Sequence, residues 1–288
     1  MVVIKGHLCY NGIMKSYQLG LYEKALADNL SFREKLSIAK EVGYDFFEIS
    51  IDEGDEKLSR LDYSHQEKSE LLTLTREILP IGSICLSGHR RFPLGDKSTA
   101  ARSLEIMEKS LEFASFLGIP IIQLAGYDIY YGESTEATRA LFEENLAKST
   151  SLAAQYGVIL AFETMETPFM NTVEKALHYV KLINSPYLQI YPDLGNVVNG
   201  AEDPHKDLAT GVGHIVALHI KESLPGKFRE IPYGKGHVAF PSLLEEAWSL
   251  GVRRYVSEFW HNSATDWRQQ IDDSYKFLME AFFKDKQC

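Results

Sequence analysis

Gly157-Val-Ile-Leu-Ala-Phe-Glu163 is the stretch on which the fold turns. A glycine tolerates the left-handed backbone that closes a helix. The short apolar run after it reads as a strand buried on both faces. The same phrase recurs in Gly43-Tyr-Asp-Phe-Phe-Glu48, Gly82-Ser-Ile-Cys-Leu-Ser87 and Gly118-Ile-Pro-Ile-Ile-Gln123. It returns in Gly213-His-Ile-Val-Ala-Leu-His219 and Gly251-Val-Arg-Arg-Tyr-Val-Ser-Glu258. Two further apolar runs, at Tyr17–Tyr22 and Tyr187–Asp193, bring the expected strands to eight.

The segments between them carry a helical period. Ser31 with Glu34 has the spacing of a capping box, and Phe32, Leu36 and Ala39 then fall on one face. Leu104, Met107, Leu111 and Ala114 form a second stripe, broadened by Ile106, Phe113 and Leu117. Eight strands alternating with helices imply an α/β fold, a single (β/α)8 TIM barrel; an open doubly wound sheet is the alternative. The sequence has no Gly-x-Gly-x-x-Gly after its first strand and no Walker-type loop, which weakens the nucleotide-binding form of the open sheet. No Pro/Gly/Ser-rich linker divides the chain, so residues 17–288 are expected to form one catalytic domain. Residues 1–16 have no place in the repeat; they are either a small cover over the barrel bottom or lie upstream of a natural start at Met14.

Bulk properties narrow the function. The net charge of -10 argues against a nucleic-acid partner, which selects a basic face, but allows a small anionic substrate. Cys9, Cys85 and Cys288 are too few and too widely spaced for a disulfide framework and read as free thiols of a reducing compartment. No apolar run approaches ~20 residues and no signal-peptide pattern opens the chain, so the cytoplasm is the expected location, with no membrane partner.

Glu48, Gln123, Glu163, Asp193, His219 and Glu258 close apolar runs. In a barrel the C-terminal ends of the strands share one face, and that face carries the active site. Any one such acid could be a helix cap, but three carboxylates brought together repel unless a cation neutralises them. Glu163, Asp193, His219 and Glu258 therefore suit one divalent ion of the Mn²⁺, Mg²⁺ or Zn²⁺ kind, with positions open for substrate. The alternative is an ion-pair network with Lys221 or Arg253.

At these residues the sequence resembles the xylose-isomerase-like superfamily of TIM barrels, and within it the L-ribulose/L-xylulose 5-phosphate 3-epimerases of bacterial ascorbate and pentose catabolism. The likeness runs through Leu19-Gly-Leu-Tyr-Glu-Lys-Ala25, Leu58-Ser-Arg-Leu-Asp62, Leu86-Ser-Gly-His-Arg-Arg-Phe-Pro-Leu-Gly95 and Gln123-Leu-Ala-Gly-Tyr-Asp128. It continues in Tyr191-Pro-Asp-Leu-Gly-Asn196, His219-Ile-Lys-Glu222 and Tyr233-Gly-Lys-Gly236. The resemblance implies that Glu163, Asp193, His219 and Glu258 ligate the metal and that Glu163 and Glu258 are the catalytic proton-transfer pair. It also implies a homodimer. The chain departs from ketose 3-epimerases that act on free sugars: where they carry Asp-x-x-His, it has Asp193-Leu-Gly-Asn196. Where they carry an arginine beyond the His219 motif, it reads Ser-Leu-Pro225. Their sugar-hydroxyl contacts cannot be transferred.

The implied reaction removes the C3 proton of a 2-ketose phosphate and returns one to the opposite face through an enediolate, which needs two acid/base groups. The substrate's phosphate needs cations or donors, and Arg60, His89, Arg90, Arg91 and Lys227 are the candidates. Lys221, Glu48 and Gln123 are expected to line the pocket. An aldose–ketose isomerase of the hexulose-6-phosphate type would use the same ligands. An abasic-site endonuclease would need more strand-end histidines and a basic groove. A non-catalytic sugar-binding barrel would have little use for two opposed glutamates.

Overall fold

A computed structural model describes residues 16–262 and 266–286. The proposed extension, Cys9 and Cys288 lie outside the described residues, apart from Ser16 at the boundary. Eight parallel strands form one sheet: β1 (Gln18–Tyr22), β2 (Phe46–Ile51), β3 (Ile81–Leu86), β4 (Ile121–Ala125), β5 (Ile159–Glu163), β6 (Leu188–Ile190), β7 (Leu218–Ile220) and β8 (Arg254–Ser257). Their order is β6-β5-β4-β3-β2-β1-β8-β7, and the two end strands meet through parallel bridges Ile190↔Ile215 and Asp193↔His219. The sheet thus curls into the expected barrel with helices outside it.

Local chemistry explains the boundaries. Ser31 Oγ accepts the Glu34 amide hydrogen bond while Glu34 accepts from the Ser31 amide, so the capping box starts the helix Phe32–Val42 and stabilises it by about 1 kcal/mol. Gly43, Gly118 and Gly157 cap their helices at φ of 113°, 72° and 69°. Gly82 corrects the pattern. It lies inside β3 after a helix already ended at Ile78, without a left-handed φ, and a Cβ there would collide with the Phe46 ring. Its role is close approach.

Inside the barrel, Tyr22, Phe46, Cys85, Ile121, Ala161, Tyr191, Ala217 and Val256 form a buried apolar cluster with one residue from each strand sector. Side chains of a strand alternate between faces, so the inward position two residues further on belongs to the next layer. Those next residues are Lys24, Glu48, Ser87, Gln123, Glu163, Asp193, His219 and Glu258. An apolar floor beneath a polar ceiling at the C-terminal rim is what positions the site. Among the described residues, no helix is long and apolar enough to cross a membrane.

Candidate metal centre

Glu163 ends β5, Asp193 follows β6, His219 is central in β7 and Glu258 follows β8. One ligand-capable atom from each lies within 4.8 Å of those of the others, and all four side chains are buried. His219 Nδ1 is 3.1 Å from Glu163 Oε1 and 3.0 Å from Glu258 Oε2. Lys221 Nζ is 3.2 Å from Asp193 Oδ1 and 3.8 Å from Glu258 Oε2.

The donor set fits a divalent cation: three carboxylates and an imidazole, no thiolate, and oxygen atoms left over. Asp193 Oδ1 accepts from the Asn196 amide at 2.6 Å and faces Lys221, while its buried Oδ2 accepts no hydrogen bond among the described residues. A buried carboxylate oxygen without a donor is costly unless a cation meets it. Burial pushes the Asp193 carboxyl well above its ordinary range, more than the Lys221 ammonium can offset. Burial opposes charge on Glu258 too, yet Lys221 and His219 hold it below the usual range. Burial would neutralise His219, but Glu48 and Glu258 raise it well above an ordinary imidazole. The Lys221 ion pair and a metal site are not exclusive, since Lys221 uses Asp193 Oδ1 and leaves Oδ2. Arg253 is not part of the cluster; its guanidinium stacks on Trp248 at 3.7 Å.

The pattern of the xylose isomerase-like TIM barrel family matches residues 36–281, which span the whole cluster. The chain belongs to this family. Among curated relatives, the L-ribulose-5-phosphate 3-epimerase UlaE of Salmonella heidelberg (strain SL476) is 43% identical over 256 residues, covering 88% of this chain and 90% of that protein. The protein of the same name from Escherichia coli O139:H28 is 43% identical over 258 residues, with 88% and 91% coverage. Solved structures share the fold: Escherichia coli 3-keto-D-glucoside 4-epimerase YcjR superposes with a TM-score of 0.76 at 19% identity, over 92% of this chain and 99% of that one. The D-allulose 3-epimerase of Methylomonas sp. gives 0.73 at 17% identity, over 94% and 99%.

Around these four strand-end residues, the other expected site residues go to different places. Glu48 faces His219 rather than the pocket. Its Oε1 is 2.6 Å from His219 Nε2, and its Oε2 accepts from Ser83 Oγ at 2.6 Å and Tyr191 OH at 2.9 Å. A carboxylate on the outer nitrogen fixes the ring and turns Nδ1 toward the ligand cluster. Gln123 Nε2 donates to Glu163 Oε2, so it orients that glutamate. Lys221 lines the pocket together with Tyr22, Lys24, Arg90, Asn196, Arg229, Glu258 and Trp260.

Of the candidate phosphate groups, only Arg90 lines this pocket. Arg60 has another partner: both guanidinium nitrogens donate to Glu23, at 2.6 and 2.8 Å, and Lys35 Nζ meets the same carboxylate at 2.8 Å. His89 is buried with Nε2 3.2 Å from the Ser103 carbonyl, and burial pushes its pKa down to about 4, so it is neutral at pH 7. Arg91 is half-exposed and pairs with Asp55 at 2.7 Å. Lys227 is exposed, in a turn closed by its backbone and that of Leu224. The repelling run His89-Arg-Arg91 is relieved by separation: one neutral buried ring, one pocket cation, one surface ion pair. Sequence reasoning missed Tyr22, Lys24, Asn196, Arg229 and Trp260; strand-end position would have pointed to Tyr22, Lys24 and Trp260.

Proposed function

We propose that the protein is a metal-dependent 3-epimerase of a ketopentose 5-phosphate, converting L-xylulose 5-phosphate to L-ribulose 5-phosphate. The observation that carries this reading is the Glu163–Glu258 pair. Two glutamates from β5 and β8, three strands apart around the barrel, converge on one buried group of donors. The names of the curated relatives support the substrate class.

Inverting C3 requires a proton to leave one face of the sugar and another to arrive on the opposite face. One of the two glutamates removes it and the other returns one, with the roles exchanged in the reverse direction. Gln123 holds Glu163 in register for that transfer. A divalent ion held by Glu163, Asp193, His219 and Glu258 would supply stabilisation of the negative charge that develops on the substrate's O2 and O3. The Lys221 ammonium stays charged because Asp193 and Glu258 outweigh the burial that opposes it, and it presents donors to a sugar oxygen. Arg90 has none of the described ion pairs, its Nε is buried without an acceptor, and it lines the pocket; it takes the phosphate, with Lys24 nearby. Arg229 lies over Trp260 and 3.7 Å from Glu166 at the same pocket. A phosphorylated pentose substrate agrees with a cytoplasmic role in sugar catabolism of the ascorbate type, and a homodimer is the assembly this reading carries.

Proton NMR of L-xylulose 5-phosphate incubated with Mn²⁺- or Mg²⁺-loaded protein in D2O tests the reading. Deuterium at C3 with L-ribulose 5-phosphate as product is expected. Label or rearrangement at C1 would move the assignment to an aldose–ketose isomerase, and inertness with every divalent ion would contradict the substrate.

A further inference from the structure

Asn196 lies in the short helix Leu194–Gly200 after β6 and lines the same pocket as Glu163, Lys221 and Glu258. It is 1% exposed. Its Nδ2 donates to the Thr164 carbonyl oxygen at 2.7 Å, and its backbone amide donates to Asp193 Oδ1 at 2.6 Å. The Thr164 contact fixes the amide's orientation, because the opposite one would set two acceptors against each other. The remaining atom, Oδ1, is buried and accepts from no group among the described residues. A buried carbonyl oxygen held this way is disfavoured unless a donor is brought to it.

The order of the strands says which end of a substrate brings that donor. Arg90, the pocket cation without a carboxylate partner among the described residues, enters just beyond β3, and β6 lies three strands away around the barrel. A phosphate on Arg90 places C5 on the β3 side and turns C1 toward β6 and Asn196. Lys24, beyond β1, is likewise three strands from β6 in the other direction, through β8 and β7.

We propose that Asn196 Oδ1 accepts a hydrogen bond from the C1 hydroxyl of the ketose phosphate and makes the site specific for substrates that carry it. This rests on the epimerase reading above. A fixed acceptor is satisfied by a CH2OH group and left unpaired beneath a methyl group, so it discriminates between them.

The test is kcat/KM for L-xylulose 5-phosphate and 1-deoxy-L-xylulose 5-phosphate, measured with Mn²⁺-loaded wild type, Asn196→Ala and Asn196→Ser. Wild type is expected to prefer the hydroxylated ketose by about tenfold or more. Asn196→Ala should lose a similar factor on the hydroxylated ketose only, so that its preference collapses to about twofold or less. Asn196→Ser, which keeps a small acceptor, should fall between the two. A wild type indifferent to the C1 hydroxyl overturns the contact even if neither variant folds. So does an Asn196→Ala protein that retains the full preference, and both leave the epimerase reading intact. Turnover of neither ketose by wild type overturns both.

Discussion

At the rim of β5 to β8, Glu163, Asp193, His219 and Glu258 crowd within 4.8 Å, with Lys221 against two of the carboxylates. At the rim of β1 to β3, the buried carboxylate of Glu23 is gripped by Arg60 and Lys35. Both regions bury several charges at the ends of strands. The first has more negative charge than its own cations can balance, which leaves room for a metal ion. In the second, Glu23 is already met by two cations, its Oε2 also accepts from the Ser50 amide at 2.8 Å, and the cluster is closed to ligands. Burial of charge therefore marks chemistry only where the local charges do not cancel.

Glu163→Gln or Glu258→Gln should show the largest effect, a loss of kcat of about 10³-fold or more with little change in thermal unfolding, since each would remove one side of the proposed proton transfer. Near-normal turnover in either would break the distinction between the regions. Glu23→Gln should do the reverse. It leaves Arg60 and Lys35 buried without their counter-ion and should cost about 3–5 kcal/mol in denaturant unfolding, while the folded fraction keeps its metal affinity.

That loss should depend on pH. Burial alone would raise the Glu23 carboxyl, but Arg60 and Lys35 bring it down from 4.5 to about 2. A group that titrates lower in the folded chain stabilises it fully above its unfolded pKa and loses that contribution as pH falls through the folded value. The gap between wild type and Glu23→Gln should thus be full above about pH 4.5 and narrow toward pH 2. A pH-independent gap would contradict the ion-pair account.

Glu48→Gln tests the seam between the two regions, because Glu48 stands in β2 and touches His219 in β7. Mn²⁺ affinity, read by competition with a chelating dye, should fall about 10–100-fold. Unchanged affinity would remove Glu48 from the support of the metal ligands. The smallest effects separate two adjacent arginines. Arg90→Ala should raise KM for the phosphorylated ketose about tenfold. Arg91→Ala should leave KM unchanged and stability within about 1 kcal/mol, as expected for an exposed pair.

The barrel was legible because its punctuation is local. A glycine at a helix end, a capping box and a strand of five residues each declare themselves within a few positions, and Gly82 misled only because a glycine that makes room for Phe46 looks the same in sequence as one that caps. The convergence of Glu163, Asp193, His219 and Glu258 was legible because barrel strands end on a common face. The phosphate cations were not. Whether Arg60 faces solvent, substrate or a carboxylate depends on Glu23, 37 residues away, and nothing near either residue announces the pair. Glu48 looks like a pocket residue in sequence because its neighbour His219 is 171 residues distant.

Manganese titration followed by EPR or calorimetry tests the central claim most directly, comparing wild type with Asp193→Ala. The four-ligand account predicts one tightly bound Mn²⁺ per wild-type chain and a large loss of affinity in Asp193→Ala, with the fold retained. Binding that survives Asp193→Ala unchanged, or a wild type that binds no divalent ion, would mean that the cluster is an ion-pair network centred on Lys221.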